Sequence, residues 1–381
     1  MQSPFSFGRA VKNESFTNRE NEIRKLSGNF ANNVNTIIIS PRRWGKSSLV
    51  EKVAAQVKTR QLKVVRIDLF SIRTEEEFYN AFGAAVIRSA SGKVEEWLDL
   101  AKKFIRAVTP RFTVELGDKQ SFDLSLDLDA IRKHSREILD LPEKIAEEKK
   151  IRLVVCIDEF QNVATFQNAL AFQKKLRSAW QHHQQVCYCL YGSKQHMLME
   201  LFNKPSHPFY RFGELMLLPK ISREKWVSFL VRQFRKTGKS IEAATAGGLA
   251  ASVQDHPYYV QQLAHILWTR TPKAADEETV ALALEDMISQ NAILYYREVE
   301  ELNNTELRLL KAICSGASQY SSKETIQRFN LGTSANVIKA KRGLIQKEIT
   351  DEQNGTLSIL DPVFELWFRR EIMGDIKLTS R

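Results

Sequence analysis

Three consecutive isoleucines, Ile37-Ile38-Ile39, run into Ser40-Pro41-Arg42-Arg43-Trp44-Gly45-Lys46-Ser47-Ser48, and a helical pattern follows over 47–59. Few folds offer a buried strand, a loop closing in Gly-Lys-Ser and then a helix. Such a loop bends so that successive backbone N–H groups point inward, and the helix N-terminus adds partial positive charge. The product is a cradle for phosphate, to which every residue from Ser40 to Ser48 is expected to contribute. Gly45 lets the backbone approach closely, Lys46 reaches the outer phosphate oxygens, and the Ser47 hydroxyl is a ligand for Mg²⁺. Ser40 stands where the usual pattern has glycine, which is tolerable if its backbone is not left-handed.

A second element supplies what the first lacks. Leu153-Val154-Val155-Cys156-Ile157 is an apolar strand that ends in Asp158-Glu159. Opposite Ser47, Asp158 is expected to hold Mg²⁺ through water, and Glu159 to polarise an attacking water. The competing reading is two solvated acids that cap a turn.

The surrounding pattern suits an α/β fold with a parallel sheet. Strands are expected over 36–40, 64–69, 153–157, 186–191 and 214–218, each nearly all apolar as in a sheet covered on both faces. Helices are expected over 47–59, 75–89, 131–148, 167–182 and 195–202. The interval 71–151 exceeds a simple crossover, and its alternating piece 111–128, with Gly117-Asp118, reads as a hairpin insertion. After Pro219 the periodicity turns helical over 223–234, 241–253, 258–268 and 277–293. Three further helices over 304–314, 322–329 and 334–342, two strands over 344–350 and 356–360, and an apolar helix over 363–368 match a winged helix-turn-helix. The expected domains are 1–219 (a base with the insertion), 220–298 (a helical lid) and 299–381 (a winged helix).

Composition narrows the partners. The net charge is +11, from 56 Lys+Arg against 45 Asp+Glu, which favours polyanions. Residues 328–347 hold Arg328, Lys339, Lys341, Arg342 and Lys347 with no acid between them. The 334–342 helix would present Thr333, Ser334 and Asn336 to base edges of duplex DNA and its basic end to phosphate. Alternatively, a winged helix docks a protein partner or serves as an intramolecular latch. The seven histidines lack metal spacing, and Ser193 has no evident histidine partner. Near a helix end, His182-His183 is expected to carry charge that suits the dipole. Cys156, Cys187 and Cys189 lie in apolar runs, as buried thiols of a reduced, cytoplasmic protein would. With no 18-residue apolar run, no transmembrane helix is expected.

Taken in order, Phe16–Glu22, Ser40–Ser48, Val154–Gln161, Tyr191-Gly192-Ser193, Phe209-Tyr210-Arg211, His256-Pro257-Tyr258-Tyr259 and Asp361–Trp367 resemble the archaeal-type ATPases of the AAA+/signal-transduction NTPase group, relatives of the origin-recognition initiators. The resemblance implies a P-loop base, a helical lid and a winged helix, with ATP or ADP and Mg²⁺ between base and lid. It implies that Arg19 contacts the base side of the nucleotide, the alternative being a helix start capped by Asn18. Ser193 would lie near the γ-phosphate, or be a plain strand-end serine. Pro257 would pack on adenine, or only start a helix. Arg211 would be an arginine finger in a nucleotide-dependent oligomer, or a surface arginine. The expected function is slow ATP hydrolysis driving a DNA-associated switch; the alternative is a signalling ATPase whose winged helix binds protein or acts as a latch. No Asn-Lys-x-Asp guanine motif occurs.

Overall fold

The computed structural model describes residues 2–8, 16–90, 94–104, 128–353 and 355–375. The chain forms two compact units, residues 19–219 and residues 1–18 with 220–381.

In the first unit, α1 (Glu20–Ala31) precedes β1 (Thr36–Ile39) and α2 (Lys46–Val57). There follow β2 (Leu62–Asp68), α3 (Glu75–Ala90), α4 (Val94–Phe104), α5 (Leu128–Lys149) and β3 (Arg152–Asp158). A short 3-10 helix (Phe160–Ala164), α6 (Ala169–Trp180), β4 (Val186–Gly192), α7 (Gln195–Asn203) and β5 (Glu214–Leu217) complete it. The five strands are parallel in the order β2-β3-β4-β1-β5. All four residues of β1 are buried, because helices cover both faces of a strand flanked by β4 and β5. Beside the sheet, Trp180 stacks on Tyr188 with ring centroids 4.2 Å apart.

Register does the work of assembly. Ile39 pairs with Gly192, and Ile157 with Leu190. Continuing those ladders past the strand ends brings Ser40 level with Ser193 and Glu159 level with Gly192. The phosphate-loop start and the acidic strand end therefore meet at the carboxyl edge of the sheet, where open α/β sheets bind ligands.

The hairpin expected over 111–128 lies outside the described residues, except for Leu128, which opens α5. Within the same interval the expectations also omitted α4. His183 departs from the charged reading: it is buried between Tyr188 and Asp140, and burial lowers its pKa, so the neutral ring is favoured.

In the second unit, α8 (Arg223–Lys236), β6 (Ser240–Ile241), α9 (Ala243–Ser252), α10 (Pro257–Arg270), β7 (Ala274–Ala275) and α11 (Glu277–Glu300) form the helical part. Phe5 packs on it, against Phe229 and Phe234. Then come α12 (Asn304–Cys314), α13 (Lys323–Phe329), α14 (Ser334–Gln346), β8 (Thr350–Gln353), β9 (Thr356–Ile359) and α15 (Pro362–Glu371). A capping box fixes the start of α12: Asn303 accepts from the Glu306 N–H, and the Glu306 carboxylate accepts from the Asn303 N–H. One hydrophobic core joins the helical part to α12, α14, β9 and α15, with Ile326 and Phe329 of α13 packed against it.

The expected first wing strand, 344–350, is corrected. Leu344 is buried as part of α14, which continues to Gln346, and the left-handed Glu348 (φ 57°) turns the chain before β8 begins at Thr350. The apolar Leu344-Ile345 pair belongs to the helix period, and the sequence reading assigned it to the strand period.

Candidate nucleotide site

The loop between β1 and α2 takes its bend at two left-handed residues, Arg43 (φ 64°) and Gly45 (φ 89°). Ser40 is not left-handed, so its Cβ meets no backbone penalty. It is 1% exposed and bonds to its neighbours. Pro41, Trp44 and Gly45 are half-buried, while Arg42 and Arg43 are exposed and add positive charge at the loop tip.

Lys46, the first residue of α2, folds back into its own loop. Its ammonium donates to the Ser40 and Pro41 carbonyls, each at 2.9 Å, and lies 3.4 Å from Ser40 Oγ. Burial lowers its pKa to about 8, against the opposing pull of Glu159 and Asp158. Ser48 is buried behind it. Ser47 Oγ donates to Asp158 Oδ2 at 2.8 Å, so the loop hydroxyl and the strand-end carboxylate are already in contact. Burial raises the Asp158 pKa to about 6, and neighbouring Glu159 adds to the effect. The Ser47 hydroxyl and the Asp158 carboxylate are oxygen donors of the type that would hold Mg²⁺ only together with substrate phosphates and water.

Glu159 has a left-handed backbone (φ 51°) that turns the chain out of β3. Its Oε2 accepts from Ser193 Oγ at 3.0 Å, from the Ser193 N–H at 3.3 Å and from Gln161 Nε2. Ser47, Asp158, Glu159 and Ser193 thus form one hydrogen-bonded cluster, and the Lys46 charge lies close enough to feel both carboxylates. Neither Gln161 nor Gly192 was singled out from sequence. Both lay inside runs that carried the resemblance, yet their spatial meeting left no local signature.

Other expected residues sit elsewhere. Arg19 is 4% exposed; its guanidinium donates to the Pro219 carbonyl at 2.6 Å and the Trp44 carbonyl at 3.3 Å, and meets Glu22 at 3.7 Å. It ties the entry and exit of this unit to the loop. The Asn18 capping alternative is corrected: α1 starts at Glu20, its N-cap is Arg19, and no side chain caps it. Exposed Arg211 is left-handed (φ 52°) and lies over the Tyr210 ring, 5.2 Å from its centroid. In the other unit, Pro257 is the first residue of α10, where its missing N–H costs nothing.

On the winged helix, Thr333 caps α14 and accepts from the Asn336 N–H. Ser334, Lys339 and Arg342 are exposed along α14, and exposed Arg328 sits 5.2 Å from the Phe329 ring centroid. Two cations of this stretch are partly neutralised from outside it, Lys341 by Glu352 at 2.5 Å and Lys347 by Glu306 at 2.6 Å.

Comparison with known proteins fits this geometry. An ATPase domain predominantly from Archaea matches residues 16–246, and a probable winged helix domain matches 293–370. The Walker-type ATPase of Pyrococcus abyssi aligns with a TM-score of 0.66 at 20% identity, covering 96% of this chain and 99% of that one. The ORC2 protein of Aeropyrum pernix, solved as ADPNP-ADP complexes, gives 0.58 at 14% identity, covering 97% and 99%. No curated protein matches. These structural likenesses establish the fold, and the first family match extends over more than half of the sequence. The chain belongs to the ATPase family found predominantly in Archaea and carries a winged helix domain behind its ATPase domain.

Proposed function

We propose that this ATPase is a Mg²⁺-dependent, nucleotide-driven switch that associates with duplex DNA through its winged helix. The observation that carries the catalytic half is the contact of Ser47 with Asp158 beside Lys46 and Glu159. Lys46 exchanges the Ser40 and Pro41 carbonyls for phosphate oxygens. Ser47 and Asp158 hold Mg²⁺, which neutralises charge on the phosphates when bound. Glu159 draws the proton from the attacking water, and Ser193 steadies that carboxylate close to the γ-phosphate. Arg211 acts on the site of a neighbouring copy. The ADPNP-ADP complexes of the A. pernix ORC2 protein support the choice of adenine nucleotides. The functional divisions are the ATPase base up to residue 219, a helical lid over 220–298 and a winged helix over 299–381, with residues 1–18 packing in the second unit.

The DNA half is supported by Arg328, Ser334, Lys339 and Arg342, exposed on or beside α14. One observation favours a protein partner in its place: Ile338, in the middle of the same helix, is 49% exposed. Fluorescence anisotropy on a duplex, at two salt concentrations and with ADP or a non-hydrolysable ATP analogue, separates the two. The expected result is binding that weakens with salt and differs about 5–150-fold between nucleotide states. Exchanging Lys339 and Arg342 for Glu reduces the salt slope by about two. Indifference to DNA in both states removes the DNA-switch reading and leaves the protein-docking one.

A further inference from the structure

We infer that Gln161 is the positioning residue for Glu159, and that Gly192 is glycine in order to admit it. The inference rests on the reading of Glu159 as the group that activates water.

Gln161 is 1% exposed, yet only half of its amide is satisfied. Its Nε2 donates to Glu159 Oε2, while its Oε1 is buried with no hydrogen-bond partner. Flipping the amide cannot cure this, because the carbonyl would then face a carboxylate oxygen, acceptor against acceptor. A buried side chain that leaves an acceptor unpaired detracts from stability, whereas an apolar side chain of the same length would fill the space without that cost. Its presence in spite of that cost points to what the donor half does.

Gly192 makes the matching concession. A Cβ on Gly192 would lie 1.8 Å from Gln161 Oε1, 3.0 Å from its Cδ and 3.2 Å from the Glu159 Cα. No positive φ requires glycine there, so the requirement comes from close approach. The register that places Gly192 level with Glu159 presses the glutamine amide between the β4 end and the catalytic turn.

The Glu159 carboxylate is consequently held through one oxygen. Oε2 takes three donors, one from Gln161 and two from Ser193, while Oε1 takes none from the described residues. A carboxylate pinned this way keeps one oxygen in a fixed direction for the attacking water, and orientation of that kind enters the rate without entering nucleotide affinity. Gln161 acts through Glu159 and need not touch the nucleotide.

Gln161→Met keeps length and apolar contact and removes both amide groups. Steady-state ATP hydrolysis with Mg²⁺ should show kcat reduced about 10–100-fold with KM unchanged. ADP affinity by calorimetry should be unchanged, and Tm unchanged or higher, since the orphan acceptor is gone. Gly192→Ala should reduce kcat as well by displacing the amide. Combined with Gln161→Ala, its methyl loses the clash with the amide and keeps only the 3.2 Å contact with the Glu159 Cα, so Tm recovers in part and kcat does not. In a Glu159→Gln background, Gln161→Met should have no further effect. Parental turnover in Gln161→Met, or an undiminished loss in the Glu159→Gln background, overturns the inference. Parental turnover in Glu159→Gln alone overturns the reading of Glu159 beneath it, so the two failures are distinguishable.

Discussion

The Ser47 hydroxyl donates to Asp158 at 2.8 Å, joining the start of α2 to the end of β3 across the carboxyl edge of the sheet. That contact places a carboxylate where burial raises its pKa to about 6 from 3.8. The protonated form is favoured in the folded state, so this stability contribution is complete below pH 3.8 and is lost as pH rises through about 6. The carboxylate destabilises the empty protein at neutral pH and becomes useful when a cation neutralises it.

Asp158→Asn should therefore raise the Tm of the nucleotide-free protein at pH 7.5, by a stabilisation of about 1–3 kcal/mol. It should also abolish Mg²⁺ enhancement of nucleotide binding. In the parental chain, Mg²⁺ affinity measured by calorimetry with ADP present should rise as pH climbs from 5 to 7. A flat profile, or a lower Tm in the variant, refutes this account of the pair.

Lys46 titrates in the opposite sense. Its folded pKa of about 8 lies below the usual 10.5 because of burial, so charging it costs stability below pH 8, and stability recovers as pH rises through 10.5. Phosphate binding needs the charged form, so ATP affinity in the parental chain should decline above about pH 8. Lys46→Ala should weaken ATP binding about 10–100-fold at pH 7.5, the worth of a charged hydrogen bond, without lowering Tm. Unchanged affinity in a calorimetric titration would sink the phosphate-loop assignment.

Asp361 is the joint of the second unit. One oxygen accepts from the Val363 and Phe364 N–H groups at 2.9 and 3.0 Å and so caps α15. The other accepts from the hydroxyls of Tyr259 on α10 and Tyr295 on α11. Asp361→Ala removes a cap and takes one acceptor from two buried phenols, for a loss of about 2–4 kcal/mol. Thermal unfolding monitored by circular dichroism checks this; an unchanged Tm would show that water replaces the carboxylate at no cost.

The strands were legible because a parallel strand covered on both faces must be apolar throughout. The runs at Ile37–Ile39 and Val154–Ile157 carry that signal undiluted. Lys46, Asp158 and Glu159 were legible because chain neighbours fix their places at strand and helix ends. Gln161 and Gly192 were not, since only strand register brings them together. The wing boundary was misplaced because Leu344 and Ile345 suit a helix face as well as a strand. His183 was misread because the helix-end rule assumes solvent, and Tyr188 and Asp140 enclose that ring.

Ser40 carries a lesson about how such sites are recognised. In this loop the left-handed positions are Arg43 and Gly45, and the residue that opens it sits in ordinary backbone. Its first position thus selects for a small side chain that can lie under the lysine, and chirality places no demand on it. A search pattern insisting on glycine there would discard this chain for a residue the bend never needed. One built on Gly45, Lys46 and the strand-end acids would keep it.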